Sequence, residues 1–164
     1  MLPNETPNRR VLLTSAPPSQ EAVDDRRQRS MSLATTLGFQ QVLLQRDHAV
    51  LRAVVGEGHT NMHGTGHGGF VYALADEAFA LASNSGDADA VALSVHMDYF
   101  RAVRPGDVLM AEARAEHVGR RVATYRVEVR SGDALEAPGE ELVALFTGTV
   151  YRRPSKTSPH QKER

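Results

Sequence analysis

From Val91 to Tyr151 apolar and polar residues alternate with period two, and this alternation restricts the possible folds more than any other feature of the chain. Successive side chains of a strand point to opposite faces, so each alternating run defines one apolar row and one polar row. Val91, Leu93, Val95, Met97 and Tyr99 form the first apolar row. Leu109, Ala111, Ala113 and Ala115 form the second, opposite Glu112, Arg114 and Glu116. Ala123, Tyr125, Val127 and Val129 form a third against Arg126, Glu128 and Arg130, and Leu142 to Tyr151 adds a fourth strand. His117-Val118-Gly119-Arg120 reads as a tight hairpin, and Gly132-Asp133 with Pro138-Gly139 as the next connection. Strands with one apolar and one polar face predict an antiparallel sheet covered on one side.

The cover is also legible. Phe70, Leu74, Ala78 and Leu81 recur at helical spacing, which predicts a helix from Gly69 to about Ser83. Its alanines permit close packing, and Asn84-Ser85-Gly86-Asp87 stops it. Upstream, Phe39 to Gln45 and Ala49 to Val55 flank the turn-like Arg46-Asp47-His48 and predict a first hairpin. One long helix with a curved antiparallel sheet wrapped around it is an α+β arrangement. A leading helix is expected from Ser19, as N-cap, to about Thr36, with Gly38 as its stop. The domain then spans 19–152. Residues 1–18, with four prolines, and 153–164 read as disordered tails.

A chain of 164 residues with 41% hydrophobic content fits one domain. Its formal net charge of -1 gives no global attraction to nucleic acid or to an anionic membrane. The absence of cysteine excludes disulfides, a thiolate nucleophile and thiolate metal sites. Val11-Leu12-Leu13 after Arg9-Arg10 is too short for a signal-peptide core, and no stretch approaches the roughly 20 apolar residues of a membrane span. A cytosolic location is the expectation.

The segment Asn61 to Asp76, NMHGTGHGGFVYALAD, carries the chemistry. A helix N-terminus offers N–H groups without intrahelical acceptors, and glycine there lets a carbonyl approach the main chain. Gly68 is therefore a candidate oxyanion donor. Asp76 lies eight residues on, about 12 Å along the same helix at 1.5 Å per residue, so the two cannot serve one carbonyl within one chain. If both serve one site, a second subunit must supply one of them.

Asn61, Gly64, His67, Gly68, Gly69, Leu74 and Asp76, followed by Asn84, the strand Ser94 to Phe100, Gly106-Asp107 and Phe146-Thr147-Gly148-Thr149, resemble the PaaI-type (phenylacetate-pathway) branch of the hotdog-fold acyl-CoA thioesterases. The resemblance covers residues 28 to 153 or so, and Gly66 departs from it where many relatives carry cysteine or a larger apolar residue. It implies a hotdog fold and a homodimer in which the helix-start donor of one protomer meets the carboxylate of its partner, and the assembly expected is such a dimer or a dimer of dimers. It also implies an acyl-CoA substrate, aryl or medium-chain, with coenzyme A as part of the substrate and no separate cofactor. The Gly68 N–H would polarise the thioester carbonyl, and Asp76 would act as general base or nucleophile. Asn61 would orient the water or the carboxylate. His67 would bond the thioester or hold the turn rigid. Ser94 sits where some relatives place a hydroxyl near the attacking water, and Gly69 would contact substrate. Arg101, Arg104, Arg120 and Arg121 are the candidates for the coenzyme A phosphates.

Other readings compete. Asp76 could be a solvated helix residue beside an exposed Glu77. His59, His63 and His67 lie four apart, a zinc spacing on a helix, but the intervening glycines argue against a helix there, so no metal is expected. Ser94, His96 and Asp98 form an ordered set on one strand face, but side chains about 6.5 Å apart and parallel do not readily form the successive bonds of a triad. A hydratase or dehydratase would use His67 with Asp76, and a non-catalytic acyl-CoA-binding module would need neither.

Overall fold

A computed structural model of the chain describes residues 33–86, 88–132 and 141–153. Of the expected leading helix, Leu33 to Thr36 lie among these, and its end is set by Gly38. That glycine takes φ +72°, and the N–H groups of Gly38 and Phe39 bond the carbonyls of Thr35 and Ala34 at 3.1 and 2.8 Å. This is a Schellman stop, which turns the chain into the first strand. Residues 19–32, both expected tails apart from Arg153, and the Asp133 to Gly139 connection lie outside the described residues.

The strands are β1 Gln40–Gln45, β2 His48–Val54, β3 Ala90–Tyr99, β4 Val108–Val118, β5 Val122–Ser131 and β6 Glu141–Arg152, and helix α1 is Gly68–Ser83. They form one sheet in the order β1-β2-β4-β5-β6-β3, with every neighbouring pair antiparallel. The sheet wraps α1, whose Phe70, Val71, Leu74, Ala75, Ala78 and Phe79 are buried against the inner rows. Leu109, Ala111 and Ala113 of β4 and Ala123, Tyr125, Val127 and Val129 of β5 are fully buried, as the alternation predicts. This is the hotdog architecture.

Two packing details hold the helix in place. On β6, a Cβ at Gly148 would stand 2.6 Å from Phe79 Cζ, so the absent side chain is what lets the helix settle on the sheet. At the C-terminal end of α1, Asn84 accepts from the Ala90 N–H at 2.8 Å and so fixes where β3 begins. On the outer face Glu112 and Glu128 stand directly opposite each other, a repulsive pairing. It is relieved by His48 and Arg114 on Glu112 and by Arg126 and Arg130 on Glu128.

The row expected on β3 is corrected. A register shift between Ala92 and Ser94 breaks the period, so Ala92, Val95 and Met97 pair with the inward-facing Val150, Gly148 and Phe146, while Val91 and Ser94 pair with Tyr151 and Thr149. The extra residue of a bulge swaps the faces on either side of it. Among the described residues β3 is also an edge strand: Ala90 and Met97 pack against the core, but Leu93 is 60% exposed and Val91 46%.

Candidate active site

The site is built where the loop before α1 crosses the segment after β3. Asn61 organises that loop: its Oδ1 accepts from the His63 N–H at 2.8 Å, its Nδ2 donates to Thr65 Oγ1 at 2.9 Å, and its main-chain N–H bonds the Thr65 carbonyl at 2.8 Å. Gly66 then donates to the Val103 carbonyl at 2.7 Å. A Cβ at Gly66 would lie 2.5 Å from Val103 Cγ2, so Val103 occupies the space a larger residue would fill.

His67 is the N-cap of α1, with φ -66° and ψ 132°, and its Nδ1 accepts from the Gly69 N–H at 2.9 Å. The helix starts at Gly68, one residue earlier than the sequence suggests. The Gly69 amide is thus already engaged, and His67 acts here on the turn. The neutral imidazole must then carry its proton on Nε2. Gly68 differs from Gly69: no acceptor among the described residues takes its N–H. Beside it lies a cleft of about 300 Å³, with Val71, Tyr99, Phe100 and Val103 as apolar wall and Asn61 and Thr65 as polar lip.

Asp76 does not line this cleft. It is half-buried two turns down α1, and burial raises its carboxyl above the ordinary aspartate range. Tyr72, one turn from each of Gly68 and Asp76, shares the environment: burial raises its phenol first, then the charges of Asp76 and Tyr99. Glu77, expected to be exposed, is half-buried, its Oε1 has no hydrogen-bond partner among the described residues, and its carboxyl is raised by burial and then by Asp76.

The remaining candidates are scattered. Ser94 pairs with Thr149 on the sheet's polar face, while His96 Nε2 and Asp98 Oδ1 meet at 3.1 Å. The two therefore touch despite their parallel directions, and Ser94 bonds neither. His59 is structural: its Nδ1 accepts from the Gly56 N–H at 3.0 Å and its ring stacks on Phe70 at 4.1 Å. Among the described residues no group of three or more His, Asp or Glu is placed to hold a metal. Arg101, by contrast, lines the cleft, where it is bound to Glu141 and Ser131. Arg104 is exposed near the cleft, whereas Arg120 and Arg121 are exposed at the β4–β5 turn, at the opposite end of the sheet. Tyr99, read from the sequence as a core residue, is the one the sequence reading missed. Its hydroxyl donates to the Gly68 carbonyl at 3.1 Å, and no spacing signals that contact.

The fold and the glycine turn at the head of the central helix define a class, the hotdog thioesterases. The chain belongs to the Thioesterase superfamily, whose pattern matches residues 63–137, and within it to the PaaI-type branch of thioester hydrolases. The acyl-coenzyme A thioesterase PaaI of Escherichia coli is 34% identical over 119 residues, 73% of this chain and 81% of that protein. Among solved structures, a mutant of the phenylacetic acid degradation protein PaaI of Thermus thermophilus superposes with a TM-score of 0.68 at 49% identity, covering 74% of this chain and 98% of that one. The Streptococcus mutans protein smu.793 bound to acetyl CoA gives 0.65 at 27% identity, covering 71% and 90%.

Proposed function

We infer that the chain hydrolyses acyl-CoA thioesters at two equivalent sites of a symmetric homodimer. The observation that carries this reading is the Gly68 N–H, which no acceptor among the described residues takes, at the head of a 16-residue helix and opening on an apolar cleft. There the helix dipole and the N–H favour negative charge developing on the thioester oxygen. The acid and coenzyme A names of the relatives, and the acetyl CoA held by the Streptococcus mutans protein, support this substrate class. An aryl or medium-chain acyl group suits the aromatic wall of the cleft.

The carboxylate comes from the partner subunit. In an isologous contact residue i meets j and j meets i, so Gly68 against the partner's Asp76 places the midpoint, Tyr72, beside the two-fold axis. The exposed apolar edge of β3 is the surface such a partner would cover. Asp76 either takes a proton from water, which then attacks the carbonyl carbon, or attacks that carbon itself to give an anhydride that water opens. In both routes the C–S bond breaks and coenzyme A leaves as thiolate, the acyl group as carboxylate. Arg104 from one protomer, with Arg120 and Arg121 from the other, would meet the phosphates, since the two groups lie at opposite ends of each sheet.

Thiol release from a panel of acyl-CoA esters tests the reading. Release by the parent chain and loss of about 10³-fold or more in Asp76→Ala are expected. A chain that binds these esters and leaves them intact would be a binding module instead.

A further inference from the structure

Both peptide units flanking Gly68 are held at both ends or along one side. The unit before it has its His67 carbonyl taken by the N–H groups of Phe70 and Val71 at 2.9 and 3.4 Å. In the unit after it, the Gly69 N–H donates to His67 Nδ1 at 2.9 Å while the Gly68 carbonyl accepts from the Tyr99 hydroxyl at 3.1 Å. Two consecutive glycines have more backbone freedom than any other pair, so a single orientation of this turn depends on these bonds, of which the Tyr99 one alone comes from outside the helix and its cap. The Tyr99 ring also lies along Gly68, with atoms 3.6 to 3.7 Å from where a Cβ would stand.

We propose that Tyr99 is a positioning residue whose hydroxyl, through the Gly68 carbonyl, holds the glycine turn so that the Gly68 N–H stays aimed at the thioester oxygen. An oxyanion donor lowers a barrier only as far as it is oriented before the charge develops. Tyr99 supplies that orientation from outside the helix, at the end of the edge strand. Burial raises the phenol above its ordinary range, so it remains a hydrogen-bond donor across neutral pH. The role in the turn follows from the geometry, and the role in the reaction rests on the thioesterase reading above.

Tyr99→Phe keeps the ring and removes the hydroxyl. With phenylacetyl-CoA and octanoyl-CoA as probes, kcat is expected to fall about tenfold, a fraction of what loss of a whole oxyanion donor costs, with KM changed by less than about twofold. In parallel, hydrogen exchange of the Gly69 amide, followed by NMR on the full-length protein, is expected to be faster in the variant. Unchanged kcat, or a change in KM alone, overturns the proposal. So does a fall in kcat with unchanged Gly69 exchange, because the hydroxyl would then touch the reaction and not the turn. Should the parent release thiol from neither these two esters nor any other of the panel, the thioesterase reading fails, and the Gly69 exchange alone decides whether Tyr99 holds the turn.

Discussion

Gly66 and Asp76 show how single residues are held here against ordinary preferences. A side chain at Gly66 must displace Val103, which itself accepts the Gly66 N–H, so loop and wall cannot move apart independently. Gly66→Ala is expected to destabilise by about 1–3 kcal/mol through overpacking, read as a lower denaturant midpoint. Asp76 carries a different cost. Burial makes the folded chain bind its proton more tightly than the unfolded chain does. Stability therefore falls as pH rises from the ordinary aspartate value of about 3.9 to the raised one, and stays at the lower level above it. Asp76→Asn removes that cost, so its melting temperature should exceed the parent's at pH 7 and match it near pH 3, while thiol release is lost. Equal melting temperatures at pH 7 would mean that the carboxylate is adequately solvated where it stands.

At the scale of elements, β3 and α1 are joined at both ends, by Asn84 to Ala90 and by Tyr99 to Gly68, with the bulge between them. The strand is thereby held to the helix although it has a neighbour on one side only. β6 is the neighbour, and its Gly148 carries the weight of Phe79. Gly148→Ala is expected to cost about 1–3 kcal/mol, because a ring enclosed by Tyr125 and Phe146 has no free rotamer to retreat into. A thermal melt of the variant against the parent measures it. Tyr125 is fixed in turn by donating to Asp47 at 2.6 Å, and burial followed by that bond pushes its phenol up. The β1–β2 turn, where Asp47 takes φ 57°, is thus anchored to the middle of the sheet.

At the scale of the whole molecule, the proposed reaction requires two chains, since each would supply one half of two sites. Gly68 and Asp76 lie on one helix and cannot converge, so activity should depend on assembly. Tyr72 offers a direct test because the chain has no cysteine. In Tyr72→Cys a short bis-maleimide should give one cross-linked species of twice the chain mass, since a residue beside a two-fold axis faces its own copy. A cysteine at the outward-facing Arg126 should not cross-link. Absence of the Tyr72 product in protein that still releases thiol would place the axis elsewhere.

The strand periods, the helix and the glycine turn could be read from the sequence because each depends on neighbours within a few residues. Leu109 to Ala115 and Ala123 to Val129 alternate because a strand does, and the helix after the glycine turn shows in the spacing of Phe70, Leu74 and Ala78. The Asp76 position was likewise legible as a helix offset. What the tertiary structure alone decided depends on contacts between distant residues. The bulge after Ala92 reverses the faces of β3 without any mark in the alternation, and only the sheet order makes that strand an edge. Asn61 and His67 look equally fit for substrate or scaffold until Thr65 and Gly69 are seen to occupy them. Tyr99 reaches Gly68 across 31 residues of sequence, and the bond exists because two elements pack, not because either residue requires it.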